Sequence, residues 1–499
     1  MSDDQRALVA HLMRRAGAGV TPAELDELAQ RPYAELVEDL LNPTLVEDDD
    51  DLVFRYFPAL ANSDTPWPWS GRWIYWMVNS KSPLREKMAL FWHHIFATAY
   101  TKMEHGPSMP VHIQMFREHG LDDMRVLLAK LSRDPAMIFW LDNVESVKGA
   151  PNENYGRELL ELFSMGVGNY TEDDIKAAAY SFTGWTFEQP IPLYPHGGYP
   201  SRFVYREDQH DDSEKEFLGH TGPFNGDDII NIIVEQPATG RFIGRHLYNF
   251  FVKDEPGVSA WSVTEPGNPE AVAELASAFA ESNGDLRAVM RVLFNAEWFK
   301  EARYERVKCP AEWVAGAYKL SGKLEMPQPE MWNLHMTMGA MGQSLMDPPS
   351  VEGWHTGKEW IDGGTLMERI NFASKLVSDP STPVVQSLAD ELEWVLDPDA
   401  ESLASDAISD LGVSNGSGGP IGYLRDNFED ELVRHALDYA GIEESSISAS
   451  TREALDEAAK LPVQESFDED GLPSSREDIE DHVSRILRLV IASPEYQFA

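Results

Sequence analysis

The stretch that most constrains the fold of this chain covers residues 152–187 and reads NENYGRELLELFSMGVGNYTEDDIKAAAYSFTGWTF. Two segments with apolar residues at helical spacing are separated here by Gly166 and Gly168, and glycines tolerate the positive φ that ends a helix. The first segment covers about residues 154–165, and the second opens at Thr171 with Asp174 placed as in a capping box. The stretch therefore predicts two consecutive amphipathic helices joined by a tight connection.

Polar side chains lie next to the apolar stripe of the first predicted helix. Asn154, Glu158 and Glu161 fall at i, i+4 and i+7, so two carboxylates one turn apart lie at the edge of a core. In a structural interpretation Glu153 pairs with Arg157, and the two carboxylates form ion pairs with arginines elsewhere. In a functional interpretation Glu158 and Glu161 are ligands of a hard metal ion or a general acid/base pair. Binding of a partner is a third interpretation.

A second segment with interior polar groups covers residues 83–97. Apolar residues occupy both sides of this predicted helix, which indicates that the helix is buried. His93 and Glu86 then lie inside the protein, about 10 Å apart along the helix axis at about 1.5 Å per residue. A buried histidine needs a hydrogen-bond partner, and His93 is interpreted either as a structural side chain or as a ligand or acid/base group. His94 lies at the border of the buried face.

The chain changes character between residues 188 and 224, where prolines, glycines and aromatic residues replace the helical periodicity. This composition predicts a long ordered loop insertion with at most a short hairpin. The segment carries the neighbouring residues His210 and Asp211. They form either a local turn held by hydrogen bonds or part of a functional site, because long loops often hold functional residues.

The charge of the chain restricts the classes of partner. The chain has 84 acidic and 41 basic residues and a formal net charge of -43. Such a surface repels phosphates and anionic lipid headgroups, so we expect neither nucleic acid nor a membrane as a partner.

The sequence has no apolar run of about 18 residues and no basic start followed by an apolar core, which predicts a cytoplasmic protein. The single cysteine, Cys309, cannot form an intramolecular disulfide.

Helical patterns recur over most of the remaining chain, and from Asp379 the composition shifts to Ser, Asp, Glu and Gly. We therefore predict an all-α fold with one large multihelical core domain at residues 1–378 and an acidic helical C-terminal appendage at residues 379–499.

Near the start of the chain, we expect Arg14 and Arg15 at the surface or at a helix C-terminus rather than in a carboxylate-rich interior.

Six separated blocks carry a resemblance to a known family. In chain order they read HLMRRAGAGVTPAEL, REKMALFWHHIFAT, KGAPNENYGRELLELFSMGVGNYTEDDIKAAAYSFTGW, FVYREDQHDDSEKEFLG, EQPATGRFIGRHLYNFFV and DPPSVEGWHTGKEW, over about residues 11–372. Together they resemble the bacterial family catalogued as domain of unknown function 1800. The resemblance implies a large, mostly helical protein and no established activity. Members of the family are often exported and encoded beside a sulfatase-like protein, which implies a partner of that type. The family often has His-Asn-His where this chain has His93, His94 and Ile95.

No standard catalytic motif competes with these candidates. The sequence has no Gly-x-Ser-x-Gly elbow, no phosphate-binding glycine loop, no His-Glu-x-x-His and no cysteine pair. A metal site would be assembled from separate segments, and the chemistry of a site with several carboxylates suits a divalent metal such as Mg, Mn or Fe. The candidate catalytic and metal-binding residues are His93, Glu158, Glu161, His210 and Asp211.

Two functions follow from these residues, and the sequence leaves open whether the protein is an enzyme. The first is a hydrolase or oxidoreductase with a carboxylate/His site between the helices of residues 83–97 and 154–165, acting by a divalent metal or by acid/base chemistry. The second is a non-catalytic binding or assembly protein, acting with a sulfatase-like partner, whose polar core is structural.

Overall fold

The computed structural model describes residues 3–44, 50–58, 65–189, 201–397, 399, 402, 404–405, 419–460 and 472–498. Helices make up most of this part of the chain, which confirms the predicted all-α class. The helices up to residue 181 are α1 (Asp3–Ala16), α2 (Pro22–Leu28), α3 (Tyr33–Leu41), α4 (Asp50–Tyr56), α5 (Trp67–Asn79), α6 (Pro83–Ile95), α7 (Tyr100–Met103), α8 (Ser108–His119), α9 (Met124–Ser132), α10 (Pro135–Trp140), α11 (Glu153–Glu161) and α12 (Glu172–Ser181).

Further helices follow after a short β-rich segment. They are α13 (Gly226–Glu235), α14 (Pro237–Phe251), α15 (Pro269–Glu281), α16 (Leu286–Asn295), α17 (Glu297–Lys300), α18 (Pro310–Ser321), α19 (Leu334–Ala340), α20 (Gly363–Val377), α21 (Pro383–Leu392), α22 (Gly419–Tyr439), α23 (Ala449–Lys460), α24 (Arg476–Ala492) and α25 (Pro494–Gln497). Short 3-10 turns connect some of these elements, at Asn143–Glu145, Glu207–Gln209, Val258–Ala260, Pro329–Asn333, Gly357–Trp360, Glu393–Leu396 and Glu444–Ser446. None of the described helices combines the length and the apolar character needed to cross a bilayer.

Side-chain caps begin the two helices of the 152–187 stretch. The side chain of Asn152 accepts a hydrogen bond from the N–H of Asn154 at the start of α11. Thr171 and Asp174 each accept a bond from the other's backbone N–H at the start of α12, which satisfies donors that the helix itself leaves free. The capping pair that the sequence predicts is therefore present.

Helix α11 ends at Glu161, earlier than the predicted end near residue 165. Beyond Glu161 the backbone widens, and the N–H of Met165 bonds to the carbonyl of Leu160, five residues back, at 3.0 Å. Gly166 follows with a φ of 78°, a conformation that glycine adopts without steric penalty. The apolar periodicity of the sequence continues through this wider turn, which is why it does not mark the end of the helix.

Helices α11 and α12 approach each other closely at Gly156. A Cβ at this position would lie 3.1 Å from the backbone N of Ala179 and 3.1 Å from the carbonyl of Ile175. The absence of a side chain therefore lets the backbones of the two helices come together. Buried apolar side chains from both helices, including Leu159 and Ala178, continue into the main hydrophobic core.

The predicted loop insertion contains more β-structure than expected. Strand β1 (Trp185–Glu188) pairs antiparallel with β2 (Arg202–Tyr205), and β3 (Lys215–Phe217) pairs antiparallel with β4 (His220–Gly222). The sequence predicts at most one short hairpin because strands of three or four residues are too short to give a clear alternation. Residues 190–200, which carry part of the predicted loop, lie outside the described residues.

The C-terminal helices pack against the core helices. Helix α24 contacts α20 and α21. The N–H of Lys308 donates to the carbonyl of Gln497 at 2.9 Å, and Val307 forms an antiparallel bridge with Phe498. The boundary predicted between residues 378 and 379 stays a prediction.

Arg15 is an exception to the expected surface position of the N-terminal arginines. Its side chain is fully buried, and Nη2 donates to the carbonyls of Val252 at 2.8 Å and Ala302 at 2.9 Å. The surface position was wrong for Arg15, because α1 packs against α6 and α17. Arg15 does lie in the last turn of α1, which is the other position expected for it.

Candidate functional site

Helix α11 places Glu158 and Glu161 on its partly exposed face. Leu159 and Leu160 are fully buried on the opposite face, whereas the two glutamates are half-buried. The Tyr170 hydroxyl, from the turn before α12, donates to Glu161 Oε2 at 2.8 Å. Among the described residues, neither glutamate forms an ion pair with a lysine or arginine. This differs from the structural interpretation, in which both carboxylates are neutralised by arginines.

Arg157, the arginine next to these carboxylates, forms ion pairs with two other glutamates. Its guanidinium donates to both carboxylate oxygens of Glu172, at 3.0 and 2.9 Å. Its Nη2 also lies 3.7 Å from Glu153, the pairing expected from the i, i+4 spacing. The sequence gives no direct signal for the contact with Glu172, because that residue belongs to the following helix.

Glu158 lies in an environment that favours its protonated form. Burial raises the pKa of Glu158, the negative charges of Glu161 and Glu352 raise it further, and Arg157 offsets only part of the effect, so that the pKa is about 7. An ordinary glutamate has a pKa of about 4.3. Glu158 therefore holds its proton close to neutral pH beside a second carboxylate.

Glu161 lies at a cleft with a volume of about 580 Å³, and Glu158 is one helical turn before it on α11. Glu161 lines this cleft together with Glu352, and Glu158 interacts electrostatically with both. The opposite walls come from α14, from the start of α15 and from the segment between them, which contributes the aromatic ring of Trp261. Trp261 is held by a hydrogen bond from its Nε1 to the carbonyl of Pro256 at 2.7 Å.

Glu352 is brought to the cleft by the loop of residues 341–361. Gly353, next in the chain, has a φ of 84°, and a Cβ at this position would overlap the carbonyl oxygen of His94 at the end of α6. The ring of His94 stacks on Trp354, with 5.8 Å between the ring centroids. No pattern in the sequence indicates a role for Glu352, although the residue lies in one of the blocks that carry the family resemblance.

His93 lies in the core behind this loop. Its Nε2 accepts a hydrogen bond from the N–H of Met346 at 2.9 Å, and its ring contacts those of Trp73, His112 and Trp354. Burial, followed by the charges of His112 and His94, holds the pKa of His93 well below its ordinary value. His93 is therefore neutral, and its Nδ1 has no partner among the described residues.

Glu86, on the same helix as His93, forms a buried ion pair with Arg117. Arg117 donates to it through Nε and Nη2, both at 2.9 Å, and Trp73 Nε1 donates to it at 3.2 Å. The Arg117 guanidinium also lies over the ring of Trp76 at 3.8 Å. These contacts satisfy the buried carboxylate inside the core.

His210 and Asp211 form a compact turn near the end of α12. The Nδ1 of His210 donates to the carbonyl of Thr183 at 3.0 Å, and the N–H of Asp211 donates to the Thr183 hydroxyl at 2.9 Å. The Asp211 side chain accepts from the N–H of Ser213 at 3.0 Å and lies 3.6 Å from Lys215 Nζ. The turn is thus held both by its own residues and by Thr183, which lies 27 and 28 residues earlier in the chain.

The five predicted site residues thus have different surroundings. Glu161 lines the cleft and interacts electrostatically with Glu158, His93 contacts the core and the 341–361 loop, and His210 and Asp211 contact the turn after α12. In the part of the chain that the structure describes, no group of three His, Cys, Asp or Glu side chains is arranged to hold a metal ion. Binding of a divalent metal stays a prediction, and elemental analysis of the purified protein tests it.

The raised pKa of Glu158 has a consequence for stability. Between pH values of about 4.3 and about 7 the folded protein binds a proton at Glu158 that the unfolded chain releases, so this group destabilises the fold as pH rises through that range. Glu158→Gln mimics the protonated form. We expect the midpoint of thermal unfolding of this variant, relative to the wild type, to increase from pH 5 to pH 8.

Glu153→Gln is the matched control for this experiment, because Glu153 lies on the same helix and has a more exposed side chain paired with Arg157. The difference in unfolding midpoint between Glu153→Gln and the wild type should be the same at pH 5 and pH 8. A constant difference for Glu158→Gln as well would show that this carboxyl does not titrate in the raised range.

Comparison with protein families finds a match over residues 11–498 to the family described as "Protein of unknown function (DUF1800)". The match covers nearly the whole chain and extends beyond the blocks recognised in the sequence. No curated protein and no solved structure matches the chain.

Proposed function

We propose, for a chain that belongs to the DUF1800 family of proteins of unknown function, that the cleft beside α11 is the active site of a hydrolase. The observation that carries the proposal is the pair of carboxylates on α11, in which Glu158 has a pKa of about 7 and Glu161 accepts a hydrogen bond from Tyr170. Pairs of titratable groups with different environments are typical of acid/base sites.

The two carboxylates have complementary roles in this proposal. Glu158, which carries the proton, donates it to the oxygen of the leaving group as the bond to that oxygen breaks. Glu161, as the carboxylate, accepts a proton from the attacking water, whose oxygen forms the new bond. Tyr170 orients Glu161 through its hydrogen bond of 2.8 Å. This division of work between a protonated and an ionised carboxyl group is that of general acid/base catalysis.

The lining of the cleft favours glycosides as the substrate class. Trp261 and Phe242 add aromatic surface beside Glu161, while Arg241 and Glu352 add groups that can hydrogen-bond to hydroxyls. Carbohydrates present both apolar ring faces and hydroxyl groups, and a site of this kind combines a mostly apolar wall with a few polar groups. A volume of about 580 Å³ is within the usual range for small-molecule sites.

A panel of fluorogenic glycosides tests the proposal. We expect turnover of at least one member, with a rate that falls as pH rises through about 7 because Glu158 loses its proton. Glu158→Gln should lower kcat by about 10²-fold or more, since a general acid contributes at least that factor. Glu161→Gln should lower kcat as well and should shift the alkaline limb of the profile to lower pH.

Glu172→Gln is the control, because Glu172 binds Arg157 and does not line the cleft. It should keep the activity of the wild type at pH 5, where Glu158 is protonated in both proteins. Turnover that survives unchanged in the Glu158→Gln, Glu161→Gln double variant would contradict the proposal.

The second candidate function is a non-catalytic assembly protein that acts with a sulfatase-like partner. It is favoured by the structural contacts of Glu86, His93 and His210, which are bonded to a neighbouring side chain or to the backbone. Co-purification of the two proteins after co-expression tests it. If the partner co-purifies equally with the wild type and with the Glu158→Gln, Glu161→Gln variant, and no glycoside is turned over, this function is preferred.

A further inference from the structure

A small cavity lined by cations lies where α1, α6 and α18 meet the end of α22. Its volume is about 50 Å³, which exceeds the roughly 10–15 Å³ that one water needs. The described charged residues that line it are Arg14, Lys87, Glu312, Lys308 and Lys319. Four cations and one carboxylate thus face the same space, in a protein whose formal net charge is -43.

The carboxylate of this cavity is already paired. Arg306 donates to both oxygens of Glu312, at 2.8 and 2.7 Å, and Lys87 Nζ forms an ion pair with it. Lys87 Nζ also donates to the carbonyls of Arg14 and Gly17. Lys319 is paired with Glu24 at 3.2 Å, so Arg14 and Lys308 are the lining cations for which no ion pair with a carboxylate is found among the described residues.

Lys308 is the most deeply buried of these remaining cations. Its side chain is 9% exposed, its Nζ donates to the carbonyl of Tyr496 at 2.8 Å, and the same Nζ lies 4.2 Å above the Tyr496 ring. Burial, followed by the positive charge of Arg14, lowers the pKa of Lys308 well below its ordinary value. A negative charge in the cavity would stabilise the protonated form of this lysine.

Arg14 also lines this cavity, and its guanidinium lies 5.1 Å from the centroid of the Tyr304 ring. Its Nη1 donates to the carbonyl of Gly441. Its Nε and Nη2 are buried and have no hydrogen-bond partner among the described residues. A buried donor without a partner is unfavourable, and a guanidinium edge with two free N–H groups fits two oxygens of one oxyanion.

We propose that this cavity binds a small oxyanion, held by the free edge of Arg14 and by the ammonium group of Lys308. A tetrahedral phosphate or sulfate, or a carboxylate group, has the size and the charge that the cavity requires. None of the residues that line it lines the carboxylate cleft, so the two sites use separate side chains. The ligand would join α1 and α18 to the C-terminal helices, from which Gly441 and Tyr496 contribute.

The test compares thermal unfolding of the full chain in sodium phosphate, sulfate, acetate and chloride at the same ionic strength and pH 7. Chloride controls for the screening that any salt gives an acidic protein. We expect a saturable rise of about 2 °C or more over chloride in at least one oxyanion. A rise with phosphate or sulfate identifies a tetrahedral oxyanion, and a rise with acetate alone identifies a carboxylate.

Variants of the lining residues test whether the rise in unfolding temperature comes from an oxyanion in this cavity. Arg14→Gln and Lys308→Gln should each abolish the rise over chloride, whereas Lys253→Gln, which removes an exposed ion pair with Glu305, should retain it. If Lys308→Gln does not fold, the result for Arg14→Gln alone tests the proposal. Arg14 is only half-buried, so its substitution disturbs the fold less. The proposal is overturned if no oxyanion exceeds chloride, or if the rise persists in Arg14→Gln.

Discussion

Glu312→Gln is expected to destabilise the fold by about 3–5 kcal/mol, the range for removing one partner of a buried ion pair. The glutamine keeps the shape of the side chain but leaves Arg306 and Lys87, both buried, without the carboxylate that they share. Burial alone would raise the pKa of Glu312, but the charges of Arg306 and Lys87 outweigh it and hold the pKa well below its ordinary value. Because the folded-state pKa is depressed, this stabilisation is present above a pH of about 4.3 and is lost as pH falls.

Urea unfolding at pH 7 measures the effect, with Glu305→Gln as the control. Glu305 pairs with Lys253 at 2.7 Å, and both side chains are about half exposed, at 46% and 51%. Such pairs contribute about 0–1 kcal/mol. Similar unfolding free energies for the two variants would contradict the role assigned to the buried carboxylate.

Gly353→Ala is expected to destabilise the fold by about 2–4 kcal/mol, from the left-handed backbone and from overpacking together. The φ of Gly353 is 84°, and an added Cβ would overlap the carbonyl oxygen of His94. The loop must then move away from the end of α6 and take Glu352 with it. Since the charge of Glu352 contributes to the raised pKa of Glu158, the variant should also weaken the pH dependence of stability that Glu158 causes.

Gly149→Ala separates the two contributions. Gly149 also has a positive φ, of 86°, but nothing lies within 4 Å of an added Cβ, so only the backbone contribution of about 1–2 kcal/mol remains. Thermal and urea unfolding of both variants measure the difference. If Gly353→Ala were no more destabilising than Gly149→Ala, the loop would not be packed against His94.

The sequence predicts the local parts of this fold well. Helices α11 and α12 follow from apolar periodicity, and the start of α12 follows from the Thr171 and Asp174 capping pair, because both signals depend on neighbouring residues. The partial burial of Glu158 and Glu161 at the edge of the core follows from the same periodicity. These features need no information about distant parts of the chain.

The remaining parts of the site depend on contacts between residues far apart in the sequence. Glu352 reaches the cleft only because Gly353 permits a close approach to α6. The partner of His93 is the backbone of Met346, which no side-chain pattern indicates. The burial of Arg15 likewise depends on the carbonyl of Val252. A single sequence holds no record of such pairings, which is why His93 was grouped with the two glutamates.

Glu158 should keep its proton close to neutral pH because it is partly buried beside Glu161. The most direct measurement is the titration of the Glu158 carboxyl group by infrared difference spectroscopy, with Glu158→Gln used to assign the band. We expect a midpoint at a pH of about 7 and a lower midpoint in Glu161→Gln, where the neighbouring negative charge is absent. A midpoint below a pH of about 5, near the ordinary glutamate value, would contradict it.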